Sequence, residues 1–182
     1  MDENIKRFIL YCQKIQPEDR EDLRIFFEGV VCFPYDNELL LQAFLFFNVK
    51  KIFPLCKDIL LLEKAPFFDR TDLGKCDFVY LTQQDSLLFI ETKFIDTNAS
   101  GATERTKRKK HRNKVIEQVI TLKQTFSDLW SISTEQFQCG VFTTDASLVD
   151  SGRSIDIITK SISIPELSEW QKNQRKLIRE SK

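Results

Sequence analysis

Apolar residues at helical spacing predict three helices in the first third of the chain. Two short helices are expected over residues 3–15 and 17–31. A third is expected to follow Asp36 or Asn37, either of which can cap its first turn, and to end near Asn48. The chain therefore begins with helical structure.

The middle of the chain shows the clearest strand pattern. Two β-prone runs, 78–81 and 87–90, flank the polar segment 82–86, and this order predicts a hairpin. The short apolar runs at 57–62 and 140–144 are further candidate strands.

A long amphipathic helix is predicted after the hairpin, from about Lys109 to Leu129. A helical piece, a short strand over 161–164 and a terminal helix from Pro165 are expected after the strand at 140–144. This order of elements predicts a single α/β domain over residues 1–182 with a central mixed sheet.

Charge changes this picture at one place only. The 182 residues carry no formal net charge, so the molecule as a whole gives no sign of a polyanionic partner. The segment 105–114 nevertheless concentrates seven basic residues, which would suit contact with a nucleic-acid backbone. They are Arg105, Lys107, Arg108, Lys109, Lys110, Arg112 and Lys114.

The cysteines and the single histidine limit the metal chemistry and indicate a compartment. Five scattered Cys and one His, His111, cannot form a zinc site of the usual kind. Isolated thiols in apolar contexts are typical of a reducing compartment. The acidic start lacks the apolar run of a signal peptide, and no apolar stretch would span a bilayer. We therefore expect a cytoplasmic protein with no membrane partner.

Two charges interrupt the second strand of the predicted hairpin. Glu91 and Lys93 are two residues apart, so their side chains point to the same face of the strand. Desolvating each charge in a buried strand costs several kcal/mol unless partners are present. A function or an ion-pair network must therefore retain them.

Folding the hairpin about Gln84 brings a second acid to this position. Leu81 then pairs with Leu87, and Asp77 pairs with Glu91. Two carboxylates so close repel each other unless a cation separates them, and oxygen ligands favour Mg²⁺ or Mn²⁺. With Lys93 beside them, such a site suits phosphodiester hydrolysis.

These residues resemble the motif of the PD-(D/E)XK nuclease superfamily, which includes restriction endonucleases, Holliday-junction resolvases and RecB-like nucleases. Gly74-Lys-Cys-Asp77 is followed, after thirteen residues, by Glu91-Thr-Lys93. Cys76 stands where the motif has its proline. The resemblance covers residues 36–145.

The resemblance implies a fold and a ligand set. It implies a three-layer α/β/α core over residues 36–164, with a helical N-terminal addition over 1–35 and a C-terminal helix over 165–182. Asp77 and Glu91 would hold the metal, together with the carbonyl of Thr92. Lys93 would orient or activate the attacking water.

Two further positions follow from the same resemblance. Members often carry a Glu on the helix before the hairpin; Glu38 matches best, and Glu63 is the second choice. RecB-like members carry a Gln on the helix after the lysine strand, and Gln118 fits that position, with Lys114 one turn earlier.

The function expected on this basis is a DNA endonuclease dependent on Mg²⁺ or Mn²⁺, which could act as a homodimer. Two alternatives belong to other classes. One is a non-catalytic nucleic-acid-binding or assembly module that retains the fold. The other is a metal-dependent enzyme for a small phosphate or nucleotide.

Overall fold

A computed structural model describes residues 1–67, 74–98, 100–151 and 157–181, except for the side chains of 150 and 151. The helices in these ranges are α1 (Glu3–Ile15), α2 (Arg20–Cys32), α3 (Asn37–Ile52), α4 (Ala102–Trp130), α5 (Ala146–Ser151) and α6 (Ile164–Glu180). The strands are β1 (Cys56–Lys64), β2 (Cys76–Thr82), β3 (Leu87–Lys93), β4 (Phe137–Thr143) and β5 (Ile157–Ser161).

The five strands form one mixed sheet in the order β1-β2-β3-β4-β5. The first three pair antiparallel, as successive strands joined by short connections can. The parallel β3–β4 and β4–β5 pairs require crossovers, which α4 and the α5 segment supply. This topology confirms the predicted α/β class with a central mixed sheet.

Helices cover both faces of the sheet, and each face has its own apolar core. Alternate residues of β2 and β3 point to opposite faces of the sheet. Both sets are buried, because helices cover both faces. α1 and α4 pack on one face, where Phe8, Phe89 and Phe126 meet. α2, α3 and α6 pack on the other, where Phe27 and Phe78 are central. The predicted three-layer arrangement is confirmed, and the N-terminal helices contribute to both faces.

The long helix begins earlier than its apolar periodicity predicts. α4 starts at Ala102 instead of near Lys109, and none of residues 102–114 is buried. These residues continue the helix because Lys, Arg and Glu are good helix formers, and a Glu104–Lys107 ion pair at i,i+3 adds support. Because residues 102–114 are not buried, they carry no apolar stripe from which the sequence could predict this part of the helix.

The last strand lies earlier in the chain than predicted. β5 spans Ile157–Ser161, whereas the expected strand covered 161–164. Ser163 instead caps α6 and exchanges hydrogen bonds with Glu166 in a capping box, with Pro165 in the first turn. Residues 163 and 164 were predicted to belong to a strand, but the capping interactions make them the start of α6.

Three smaller boundary differences occur at helix and strand ends. α2 begins at Arg20 because Asp19 is its cap, and α3 continues to Ile52 with Lys50 and Lys51 in its last turn. β4 begins at Phe137, three residues before the predicted start. In the described part of the chain, no helix is long and apolar enough to cross a membrane.

We predict that Phe89→Ala lowers the free energy of unfolding by about 3–5 kcal/mol, as measured by urea denaturation. The Phe89 ring is 1% exposed and packs against Phe126 with ring centroids 4.6 Å apart, so truncation leaves a cavity. Phe33→Ala is the control, because Phe33 is 80% exposed and its loss should change stability by about 0.5 kcal/mol or less. Equal losses in both variants would contradict the assigned core.

Candidate metal centre

The hairpin has the register that the sequence predicts. Leu81 pairs with Leu87 and Phe78 with Ile90, and Asp77 and Glu91 are the next residues of the two strands after this last pair. After burial, the charge of Asp77 is the largest influence that raises the pKa of Glu91, so the two carboxyl groups lie close enough to interact. The two acids therefore meet at the end of the β2–β3 pair.

Thr92 fixes the orientation of Asp77. Its backbone amide donates to Asp77 Oδ2 at 2.7 Å, and its hydroxyl donates to the same oxygen at 2.6 Å. Both bonds are charge-assisted when Asp77 is ionised, which makes them stronger than neutral hydrogen bonds. Both hydrogen bonds end on Oδ2, so the Oδ1 oxygen of Asp77 accepts no hydrogen bond from Thr92. Sequence analysis considered only the carbonyl of Thr92, since a hydroxyl gives no periodic signal.

The two carboxyl groups are in an environment that opposes their ionisation. Glu91 is 7% exposed, and burial, followed by the charge of Asp77, raises its pKa to about 8. Burial also raises the pKa of Asp77 to about 6, with the charges of Glu63 and Glu38 adding to the effect and the bonds from Thr92 opposing it. A divalent cation bound at these groups would lower both pKa values, because its charge stabilises the ionised carboxylates.

Glu38 forms an ion pair with Lys93. Lys93 Nζ donates to both oxygens of the Glu38 carboxylate, at 2.8 and 2.6 Å. The backbone amide of Phe94 donates to the same carboxylate at 3.4 Å. Asp36 caps α3 and so places Glu38 in its first turn, directed at the carboxyl end of β3. Glu38 thus lies beside the acidic pair and neutralises its neighbouring lysine.

Glu63 approaches the pair from the other side. The β1–β2 register aligns Leu62 with Phe78 and Lys64 with Cys76, which places Glu63 opposite Asp77. Glu63 has a φ of 53°, an uncommon backbone conformation for this residue type. Glu63, Asp77 and Glu91 therefore occupy one row across three adjacent strands.

Gln42 holds Glu63 and is a residue that sequence analysis missed. Its Nε2 donates to Glu63 Oε1 at 2.6 Å, while its side chain is 3% exposed. Its Oε1 is buried and has no hydrogen-bond partner within the described residues. A polar residue among the apolar positions of α3 was the available signal, because a buried amide normally satisfies both its donor and its acceptor.

The side-chain oxygens of the acidic pair are the type of ligand that a hard divalent cation prefers. Asp77 and Glu91 supply carboxylate oxygens of the kind that Mg²⁺ and Mn²⁺ prefer. Over the residues that the structure describes, no three His, Cys, Asp or Glu side chains form a group that could hold a metal as they stand. Asp77 and Glu91 therefore stay the predicted ligands, with Glu38 and Glu63 as further candidates.

The basic segment of α4 lies at the same edge of the sheet. Arg112 Nε donates to Asp145 Oδ2 at 2.6 Å, and Asp145 follows the carboxyl end of β4 directly. Arg108 donates to the carbonyls of Asp96 and Thr97, just after β3. These contacts hold the start of α4 beside the carboxyl ends of β3 and β4, where Lys93 also lies.

The predicted basic residues differ in what surrounds them. Arg112 and Arg108 are half-buried and anchor α4 by the contacts above. The other five basic residues are exposed along the helix; they are Arg105, Lys107, Lys109, Lys110 and Lys114. Their contact with nucleic acid stays a prediction. Asp145, the partner of Arg112, was not predicted, although the polar Thr-Thr-Asp after a buried strand was a signal.

Gln118 is exposed on α4, next to the buried Val119. Within the described residues the structure gives no hydrogen bond between Gln118 and either Asp77 or Glu91. The role of Gln118 at the acidic pair stays a prediction.

No protein-family model matches the chain, and no curated protein matches it. Among solved structures, the chain is similar to an EndoMS–dsDNA2 complex, with 14% identity and a TM-score of 0.39 over 69% of this chain and 44% of that one. It is also similar to a repair endonuclease from Pyrococcus abyssi, with 13% identity and a TM-score of 0.37 over 71% of this chain and 48% of that one. The chain thus matches less than half the length of either protein, and the site is assigned from its own geometry.

We predict that the metal-free protein loses stability as the pH rises from about 5 to about 8. Folded Glu91 keeps its proton until about pH 8, whereas an unfolded Glu loses it near pH 4.3. Unfolding between these values releases a proton, so the free energy of unfolding falls as the pH rises. Urea denaturation in a chelating buffer measures this slope.

The Glu91→Gln variant should remove most of this pH dependence, because its amide does not titrate. Glu135→Gln, at an exposed carboxyl, is the matched control and should keep the wild-type slope. A slope unchanged in Glu91→Gln would show that Glu91 is ionised in the folded protein at neutral pH.

Proposed function

We propose that the protein is a nuclease that hydrolyses phosphodiester bonds in DNA with the help of Mg²⁺ or Mn²⁺. The observation that carries the proposal is the pair of acids, Asp77 and Glu91, at the end of a buried hairpin, with Asp77 held by two hydrogen bonds from Thr92 and Glu91 7% exposed. Burial raises the pKa of both groups, and neighbouring carboxylates add to the rise: Asp77 for Glu91, and Glu63 and Glu38 for Asp77. The protein thus maintains an unfavourable arrangement that a cation would relieve.

Asp77 and Glu91 hold the cation in this proposal, and the carbonyl of Thr92 is the further ligand implied by the family resemblance. The hydroxyl and amide of Thr92 keep the Asp77 carboxylate oriented toward it. When bound, the cation supplies the positive charge that stabilises the transition state of phosphodiester hydrolysis.

Lys93 is the catalytic cation. It lies two residues beyond Glu91 on the same strand face, and its Nζ is held at the edge of the sheet by Glu38. In a substrate complex it donates to a phosphoryl oxygen or orients the attacking water. Glu38 is therefore a positioning residue for Lys93 or an additional metal ligand, and Glu63 is the alternative ligand.

The exposed basic residues of α4 contact the phosphate backbone in this proposal. Residues 102–114 extend the helix for roughly 20 Å without a buried residue, and five basic side chains are exposed along it. Because Arg112 and Arg108 attach this segment near Lys93, a strand that follows it would pass the acidic pair. DNA is the substrate that the resemblance implies, and pairing of two copies stays a prediction.

A non-catalytic nucleic-acid-binding module is the second candidate. It is favoured by the ion pair between Lys93 and Glu38, which already neutralises the lysine. The two candidates differ in one property, since only the nuclease cleaves DNA when Mn²⁺ is added.

We expect the wild-type protein to cleave at least one member of a panel of duplex, single-stranded and branched DNA in Mn²⁺. Lys93→Ala should lower the rate by at least about 100-fold, because the transition state loses its positive side chain. Lys172→Ala, at an exposed lysine on α6, is the control and should cleave at the wild-type rate. Cleavage is followed on labelled DNA by gel electrophoresis.

Circular dichroism must show that Lys93→Ala is folded, since the substitution leaves Glu38 without its lysine. Equal cleavage by wild type and folded Lys93→Ala would contradict the assignment of the lysine. DNA binding with no cleavage by the wild type would favour the non-catalytic module.

A further inference from the structure

Two aromatic rings stand exposed on the connection that leads to Glu38. Phe33 is 80% exposed and Tyr35 is 83% exposed, the two largest values among the large hydrophobic residues that the structure describes. They belong to the short connection between α2 and α3, and Pro34 separates them. Two exposed rings so near in the chain contribute to an apolar surface patch, and exposed apolar patches often mark binding sites.

The position of the rings indicates what they bind. Tyr35 precedes Glu38 by three residues, and the Glu38 carboxylate lies 2.6 Å from Lys93 Nζ. Three residues span at most about 11 Å, and the five residues from Phe33 span at most about 18 Å. With about 3.4 Å between bases along a strand, the backbone of Tyr35 and of Phe33 lies within about three and five nucleotide steps of the Glu38 backbone, and Glu38 contacts the lysine.

The connection is held rigidly at both ends. On one side, the Phe33 amide donates to the Gly29 carbonyl at 2.9 Å. On the other, Asp36 caps α3 by accepting from the Glu38 amide at 2.6 Å. The ring of Pro34 restricts the backbone between the aromatic residues. Binding to rings carried by a fixed backbone sacrifices little backbone entropy.

From these observations we propose that Phe33 and Tyr35 stack on unpaired bases next to the scissile phosphate. The substrate is therefore DNA with unpaired nucleotides near the cleavage site. In an intact duplex the faces of the bases are covered by their neighbours, and a protein reaches only their edges in the grooves. Ring faces can stack on bases only where the strand is single or the base is displaced.

The charge distribution around the centre is consistent with this substrate. The exposed basic residues of α4 start near the carboxyl ends of β3 and β4, while the two rings precede α3 and Glu38. Phosphates can thus follow the basic segment while bases contact the aromatic rings. This inference rests on the proposed function, because it defines the substrate of the same centre.

The test compares binding of three DNAs that share one sequence: a fully paired duplex, the duplex with a three-nucleotide bulge, and the single strand. Affinity is measured by fluorescence anisotropy in Ca²⁺, and 2-aminopurine in the bulge reports stacking directly. Cleavage of the same DNAs in Mn²⁺ by the wild-type protein is measured in parallel.

The double variant Phe33→Ala/Tyr35→Ala should bind the bulged and single-stranded DNAs at least about tenfold more weakly, since each base–aromatic stack contributes roughly 5- to 150-fold in affinity. Its affinity for the paired duplex should change by less than about twofold. The wild type, but not this variant, should change the fluorescence of 2-aminopurine.

Two control variants separate stacking from other effects. Phe33→Tyr/Tyr35→Phe keeps both rings and should behave as the wild type. Leu10→Ala/Leu177→Ala removes two apolar side chains of similar exposure, 59% and 58%, on other helices and should also have no effect.

Equal affinity of the wild type for paired and bulged DNA, or unchanged binding by the alanine variant, would overturn the proposal and indicate a protein partner for the two rings. If the wild type also cleaves the paired duplex in Mn²⁺, the nuclease function stands and only the substrate assignment fails. If it neither binds nor cleaves any of the DNAs, the proposed function fails first.

Discussion

The pairing of β2 with β3 is the constraint on which the candidate centre depends. Side chains alternate along a strand, so a register shift of one residue would change which side chains of β2 and β3 lie next to each other. The observed register of Phe78 with Ile90 prevents this, and apolar residues buried on both faces keep it in place. The apolar part of the hairpin therefore determines where its two acids meet.

Burial makes this meeting point unfavourable for the free protein. The energy that the sheet gains from packing its apolar residues holds two carboxyl groups in a poorly solvated position, and their pKa values rise in consequence. The two further acids near the pair, Glu38 and Glu63, have different partners. Glu38 pairs with Lys93, whereas Glu63 is held by the amide of Gln42. Charge at the centre is thus balanced only in part by the chain itself.

Local sequence patterns were sufficient for the hairpin and its acids. The turn between Thr82 and Ser86 is short, and it fixes which residues of the two strands face each other. The sheet class also followed from the order of elements. Contacts between distant parts of the chain were not predictable in this way. Arg112 and Asp145 are 33 residues apart, and nothing in either local sequence indicates the other.

Exposed helix and irregular backbone also could not be predicted from local sequence. The start of α4 carries no apolar stripe, so periodicity located only its buried part. Glu63 was recognised as a possible ligand, but its positive φ and its place opposite Asp77 depend on how β1 pairs with β2. Gln42 lies among apolar residues of α3, and only the folded chain brings it to Glu63.

Calorimetric titration of the metal-free protein with Mn²⁺ tests the central claim, that Asp77 and Glu91 bind a divalent cation, most directly. We predict binding that releases protons near neutral pH, detected by comparing buffers with different ionisation enthalpies, because the bound cation lowers the raised pKa values of both groups. The binding should be lost in Asp77→Asn and kept in Asp128→Asn, an exposed carboxylate on α4. Undiminished Mn²⁺ affinity in Asp77→Asn would contradict the account.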